Sequence, residues 1–140
     1  MSKKDEKIAR LAPSQAGGKH DSRYLGFFSC FNGGEFYDAH DVLEALWLSV
    51  RKGPNDLFYK GLIQLAGAFV HLQKNRLRPA VALFNLAAAN LAKYPAVHED
   101  LDVAAVLEMI QTWREKIEAD DFANNPLIST NRPSLILQAH

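Results

Sequence analysis

The chain has 140 residues, with 16 Lys plus Arg against 16 Asp plus Glu, and apolar residues make up 48% of it. That length is near the commonest size of one globular domain, and that apolar content excludes a disordered chain. Balanced charge argues against a nucleic-acid partner, because phosphate contacts favour a basic excess. No apolar run approaches the ~20 residues needed to cross a bilayer. The polar start shows no apolar segment of a signal peptide, so no membrane partner is expected and the cytoplasm is the expected location.

Residues 1–21 are polar and mixed in charge, and read as a flexible leader ending at the breaker Gly17-Gly18. A first helix is predicted over residues 22–32, with Tyr24, Leu25, Phe28 and Phe31 at helical spacing. Cys30 lies inside it, in the run Phe27-Phe28-Ser29-Cys30-Phe31, and is the only cysteine. A buried, small apolar side chain is the expectation there. Gly33-Gly34 supplies the positive-φ conformation that ends a helix. The second helix is predicted over residues 35–51, stopping at Gly53-Pro54. Asn55 or Asp56 caps a third, which runs to Lys74, with Asn75 as its left-handed end.

A fourth helix covers residues 78–93, with Pro79 in its first turn and Tyr94-Pro95 after it. The fifth is expected to start near His98, where Glu99, Asp100 and Asp102 suit the positive end of a helix dipole. Its apolar stripe is Val103, Val106, Leu107, Ile110, Trp113 and Ile117. No segment alternates with period two over enough residues to suggest a sheet. Short loops between long helices imply antiparallel neighbours. The expected fold is therefore all-α: a compact antiparallel bundle of about five helices over residues 22–120. Residues 121–140 form an extended tail, since Asn125-Pro126 and Arg132-Pro133 resist helix. The tail's Leu127, Ile128, Leu135, Ile136 and Leu137 are expected to pack on the domain or on a neighbouring subunit, which makes a homo-oligomer one expected partner arrangement.

One group of polar residues falls where a helical core would be apolar. At 100° per residue, Phe36, Ala39, Leu43, Trp47 and Val50 share the inward face of the second helix. His40 lies in the middle of that face, and Glu44 follows one turn on. The third helix is apolar around most of its circumference, but Lys60, Gln64, His71 and Lys74 line up with Gly67 on a narrow strip. In an antiparallel hairpin the two polar sets come level, giving the candidate site His40, Glu44, Trp47, Lys60, Gln64 and His71. Such a group reads in three ways. It is a satisfied hydrogen-bonded network, a pocket with Trp47 as apolar wall, or a metal or acid–base site using an i, i+4 His and carboxylate. His-Glu-x-x-His and paired Glu-x-x-His motifs are absent, and no cofactor is named by any motif.

The stretch Phe31-Asn32-Gly33-Gly34-Glu35-Phe36-Tyr37-Asp38-Ala39-His40-Asp41-Val42-Leu43-Glu44 with Leu46-Trp47 is similar to the signature of the domain of unknown function 309 family. Phe58-Tyr59-Lys60-Gly61-Leu62-Ile63-Gln64-Leu65-Ala66, then His71 and Asn75, match its second half. The resemblance implies a small all-helical domain without established activity. His40, Glu44, Trp47, Gln64 and His71 match the family pattern as they stand. Asp38 and Asp41 replace Glu, Lys60 replaces Gln, and Lys74 replaces Gly. If Lys60 faces the polar group, it sets a cation beside Glu44 and counts against a metal there. The expected function is a non-catalytic binding or interaction module for a small ligand or protein, with its pocket around His40 and Glu44. The alternative is a small hydrolase-type enzyme, metal-assisted or not, using the same two residues.

Overall fold

A computed structural model describes residues 2–12 and 18–138 of the chain. The described residues form six helices: α1 (Lys3–Leu11), α2 (Ser22–Asn32), α3 (Phe36–Ser49), α4 (Asp56–Gln73), α5 (Leu77–Leu91) and α6 (Val103–Glu118). The expected all-α bundle is therefore the fold, with one helix more than the sequence pattern indicates. The extra one is α1, inside the segment read as a leader. Ser2 caps it by accepting from Asp5 N, and Asp5 accepts from Ser2 N in return, so two otherwise orphaned donors are satisfied.

Contacts across each hairpin give its direction. On α4 and α5, Gly61 faces Leu91 and Gly67 faces Leu83, so residue numbers rise on one helix as they fall on the other. Arg23 reaches the Ala45 carbonyl between α2 and α3, and Trp47 reaches Asp56 between α3 and α4. All three neighbouring pairs are antiparallel. The turns follow the glycine and asparagine signals: Gly34 has φ 79° and Asn75 φ 56°, the left-handed geometry those residues tolerate best.

Aromatic rings fill the centre. Phe69 on α4 meets Phe31 of α2, Phe36 of α3, Phe84 of α5 and Trp113 of α6. It thus touches every helix of the bundle except α1. Cys30 is buried, and burial pushes its thiol up, so it stays protonated.

Two expectations fail around residue 98. The chain there forms a small hairpin, β1 (Val97–His98) and β2 (Leu101–Asp102), and α6 begins only at Val103. Glu99 and Asp100 both have positive φ, 49° and 62°, the pairing that a tight two-residue hairpin turn requires. The acidic run that resembled a helix start is that turn, and the real cap is Asp102, which accepts from Ala105 N. Strands of two residues are too short to leave an alternating pattern. His98 is half-buried there: it donates to Asn55 and stands edge-on to Phe58.

The segment after α6 folds back over the bundle. Leu135 is buried, Leu137 bridges to Leu101, and the Asn32 side chain both donates to and accepts from the Leu135 backbone at 2.7 Å. Replacing Asn32 by alanine removes both bonds, about 0.5–1.5 kcal/mol each. The expected result is faster hydrogen exchange at the Leu135 amide with α4 unaffected; unchanged exchange would mean that other contacts hold the tail.

Candidate functional site

The six residues of the candidate polar group do not converge on one point. Lys60 is exposed. Gln64 faces α5, where its side-chain oxygen accepts from Asn90 at 2.8 Å. Trp47 is half-buried; its Nε1 donates to Asp56, and the Arg51 guanidinium lies 5.0 Å from its ring centre. That bond ties the end of α3 to the start of α4 and is structural. His40 and His71 share a cleft, together with Tyr37, Gly67, Val70, Lys74 and Leu83. Glu44 lines a different groove of about 650 Å³, between α1, α3 and the start of α2.

The groove exists because α1 lies along α3. Its lysines sit on the acidic residues of the recognised motif. Lys7 Nζ is 2.8 Å from Asp38 Oδ1 and 3.0 Å from Asp41 Oδ2, and Lys4 Nζ is 3.2 Å from Glu44 Oε1. Helical spacing explains the match. Asp38, Asp41 and Glu44 recur every three residues on α3, as Lys4 and Lys7 do on α1, so two parallel rows of opposite charge can face each other. Desolvation opposes the charge on Asp41, yet its bonds from Lys7 and His40 outweigh it and hold that carboxyl below the usual range. The Asp38 bond raises Lys7 above the ordinary lysine value despite some desolvation. Lys7 also lies 5.0 Å from the Tyr37 ring centre.

Below α1 the chain makes room. A Cβ on Gly26 of α2 would stand 2.5 Å from the Leu11 carbonyl oxygen, so the end of α1 seats on bare backbone. α1 itself has no buried residue. Ile8 and Leu11 are only partly covered by the core, and charge carries an unusual share of its docking.

His40 reaches Asp41 Oδ1 at 3.2 Å through Nδ1 and stacks on Tyr37, itself 57% exposed. His71 Nδ1 is sealed from solvent without a hydrogen-bond partner. Desolvation, with Arg76 and Lys74 nearby, lowers the His71 pKa. Among the described residues, no three His, Cys, Asp or Glu side chains are grouped to hold a metal ion. No helix among them is long and apolar enough to cross a membrane.

Residues 24–83 match the family model described as Domain of unknown function (DUF309). The DUF309 match contains all six candidate residues and the three acids of α3, which accords with the resemblance carried by the sequence motif. It stops inside α5, and α1 lies outside it. The acids of the DUF309 segment are therefore covered by a helix that is not part of that segment. No curated protein and no solved structure matches the chain.

Sequence reasoning left Asp38 and Asp41 out of the candidate group and missed Lys4 and Lys7 altogether. Their signal was available in Ser2-Lys3-Lys4-Asp5, a capping pattern before a helix with Ile8 and Leu11 one turn apart. The segment's polarity masked it.

Proposed function

We propose that this domain is a non-catalytic interaction module whose α3 face receives a lysine-bearing amphipathic helix. The observation that carries the reading is the seating of Lys4 and Lys7 on Asp38, Asp41 and Glu44. α1 occupies this face in cis and serves as a pattern for the partner: lysines three residues apart, with an apolar residue beside them. This is recognition of a helix in a groove, with charge setting register and apolar contact adding affinity. Lys4–Glu44 is solvent-accessible, as pairs worth about 0–1 kcal/mol are, and the Lys7 pairs are only partly buried, so α1 can be exchanged for a better-fitting helix. A hydrolase-type reading needs His40 and Glu44 on one substrate, and they line separate clefts.

The test uses the full chain with Lys4→Glu and Lys7→Glu, which turns α1 against the acids. A fluorescent peptide of residues 2–12 with both lysines intact is expected to bind this variant more tightly than wild type, where α1 competes at an effective concentration of about millimolar. Adding Asp38→Asn, Asp41→Asn and Glu44→Gln should abolish the anisotropy change. Equal binding to the lysine variant before and after neutralising the acids would sink the proposal.

A further inference from the structure

The second cleft, between α3 and α4, has a volume of about 250 Å³. Three kinds of surface meet there. Val70 and Leu83 are apolar. Gly67 lets Leu83 come close to the α4 backbone, since a Cβ on it would stand only 3.1 Å from Leu83 Cδ1. Tyr37 and His40 form a flat aromatic wall, their ring planes within 25° of each other. His71 and Lys74 supply nitrogen donors.

Charge around the cleft is divided: Asp41 bonds His40 on one side, and Lys74 lies on the other. The nearby acids Asp38 and Asp41 are already matched by Lys7. Lys74 has no ion-pair partner among the described residues. A second proton on His71 would place an N–H at Nδ1, where no acceptor waits. The ring is therefore neutral with its hydrogen on Nε2, a donor without a full charge. Desolvation and the adjacent cations act in the same direction. Of these, the cations Arg76 and Lys74 are what favour an anion beside the ring.

We propose that the cleft binds a small carboxylate with a flat apolar body. The carboxylate accepts from Lys74 and from the His71 ring, and the body rests against Tyr37, His40 and Val70. The volume lies below the range of about 300–1,000 Å³ that drug-sized ligands fill, which selects a small acid. This site lies beside the α1 groove, for Lys7 of α1 sits over the Tyr37 ring and pairs with Asp41, which also bonds His40, and it is tested with α1 in place.

Benzoate is the probe, titrated into the full chain and followed by NMR of the histidine rings. The His40 and His71 signals are expected to move saturably, while His98, held by Asn55 on another part of the fold, stays in place. Benzyl alcohol, which has the same body without the charge, should move none of them. Lys74→Gln changes an exposed residue at the end of α4 and is expected to weaken benzoate about tenfold, as loss of a charge-assisted hydrogen bond should. Gly67→Ala raises helix propensity but takes up the space beside Leu83. It should weaken benzoate by shifting Leu83, with the melting temperature read alongside to confirm that the variant is folded. Shifts equal for benzoate and benzyl alcohol, an unchanged affinity in Lys74→Gln, or no saturable shift at any benzoate concentration would each overturn the proposal.

Discussion

Replacing Phe69 by alanine is expected to cost about 3–5 kcal/mol, the range for deleting a buried aromatic side chain. The ring is fully buried, and its four partners stand with centroids 5.1–5.6 Å away. Three of the four contacts are edge-to-face, the geometry in which the positive ring edge meets the negative face, worth about 0.5–1.5 kcal/mol per pair beyond area. The partners come from four different helices, so no single helix can shift to refill the space. Domains are typically stable by only about 5–15 kcal/mol, and the variant should lose a large part of that. Phe69→Leu keeps most of the apolar volume and should cost less. Urea unfolding with both variants checks the order. A near-wild-type midpoint for Phe69→Ala would show that the core is not organised around this ring.

Undocking of α1 ahead of bundle unfolding is the expected result of acidification. The folded pKa of Asp41 is depressed. Its contribution is therefore fully present above the ordinary aspartate value of about 3.9 and is lost as pH falls through the lower folded value. The folded pKa of Lys7 is raised. Its contribution is present below the ordinary lysine value of about 10.4 and is lost as pH rises through the higher folded one. Docking thus holds across the neutral range and fails at both ends. With no buried residue in α1, little apolar burial remains once the charges go. Exchange protection at the Ile8 amide should vanish on acidification while protection at Leu65 persists. Asp41→Asn should weaken Ile8 protection even at neutral pH. If Ile8 and Leu65 lose protection together, α1 is a cooperative part of the bundle and the groove is not separately exchangeable.

The bundle was legible because α4 and α5 announce themselves as long apolar segments joined at a left-handed Asn75, and Gly34 marks the turn between α2 and α3. The candidate site was legible residue by residue, but its grouping was not. Helical periodicity fixes which face a side chain takes, not which neighbour stands opposite. Gln64 and His71 are two turns apart on one strip of α4, yet Gln64 meets Asn90 of α5 while His71 shares a cleft with His40 of α3. His40 and Glu44 are one turn apart, and the boundary between the α4 side and the α1 side of α3 runs between them. Lys60, grouped with Glu44 in the candidate site, is exposed, and the cation beside Glu44 is Lys4. The start of α6 was misread because acidic residues serve a two-residue hairpin as readily as a helix N-terminus.

The hairpin tip also bears on the order in which the chain closes. Glu99 and Asp100 hold left-handed conformations that cost free energy for residues with side chains. What secures them comes from far away in sequence: the Tyr24 hydroxyl donates to the Glu99 carbonyl, and Lys19 and His20 reach the Asp100 carboxylate. The α4–α5 hairpin, by contrast, closes through a short connection at little entropic expense. Local pairs of this kind form early, and contacts spanning most of the chain form late. The tip is therefore expected to lock after the rate-limiting step, so that weakening its distant anchors quickens unfolding and leaves the folding rate nearly untouched.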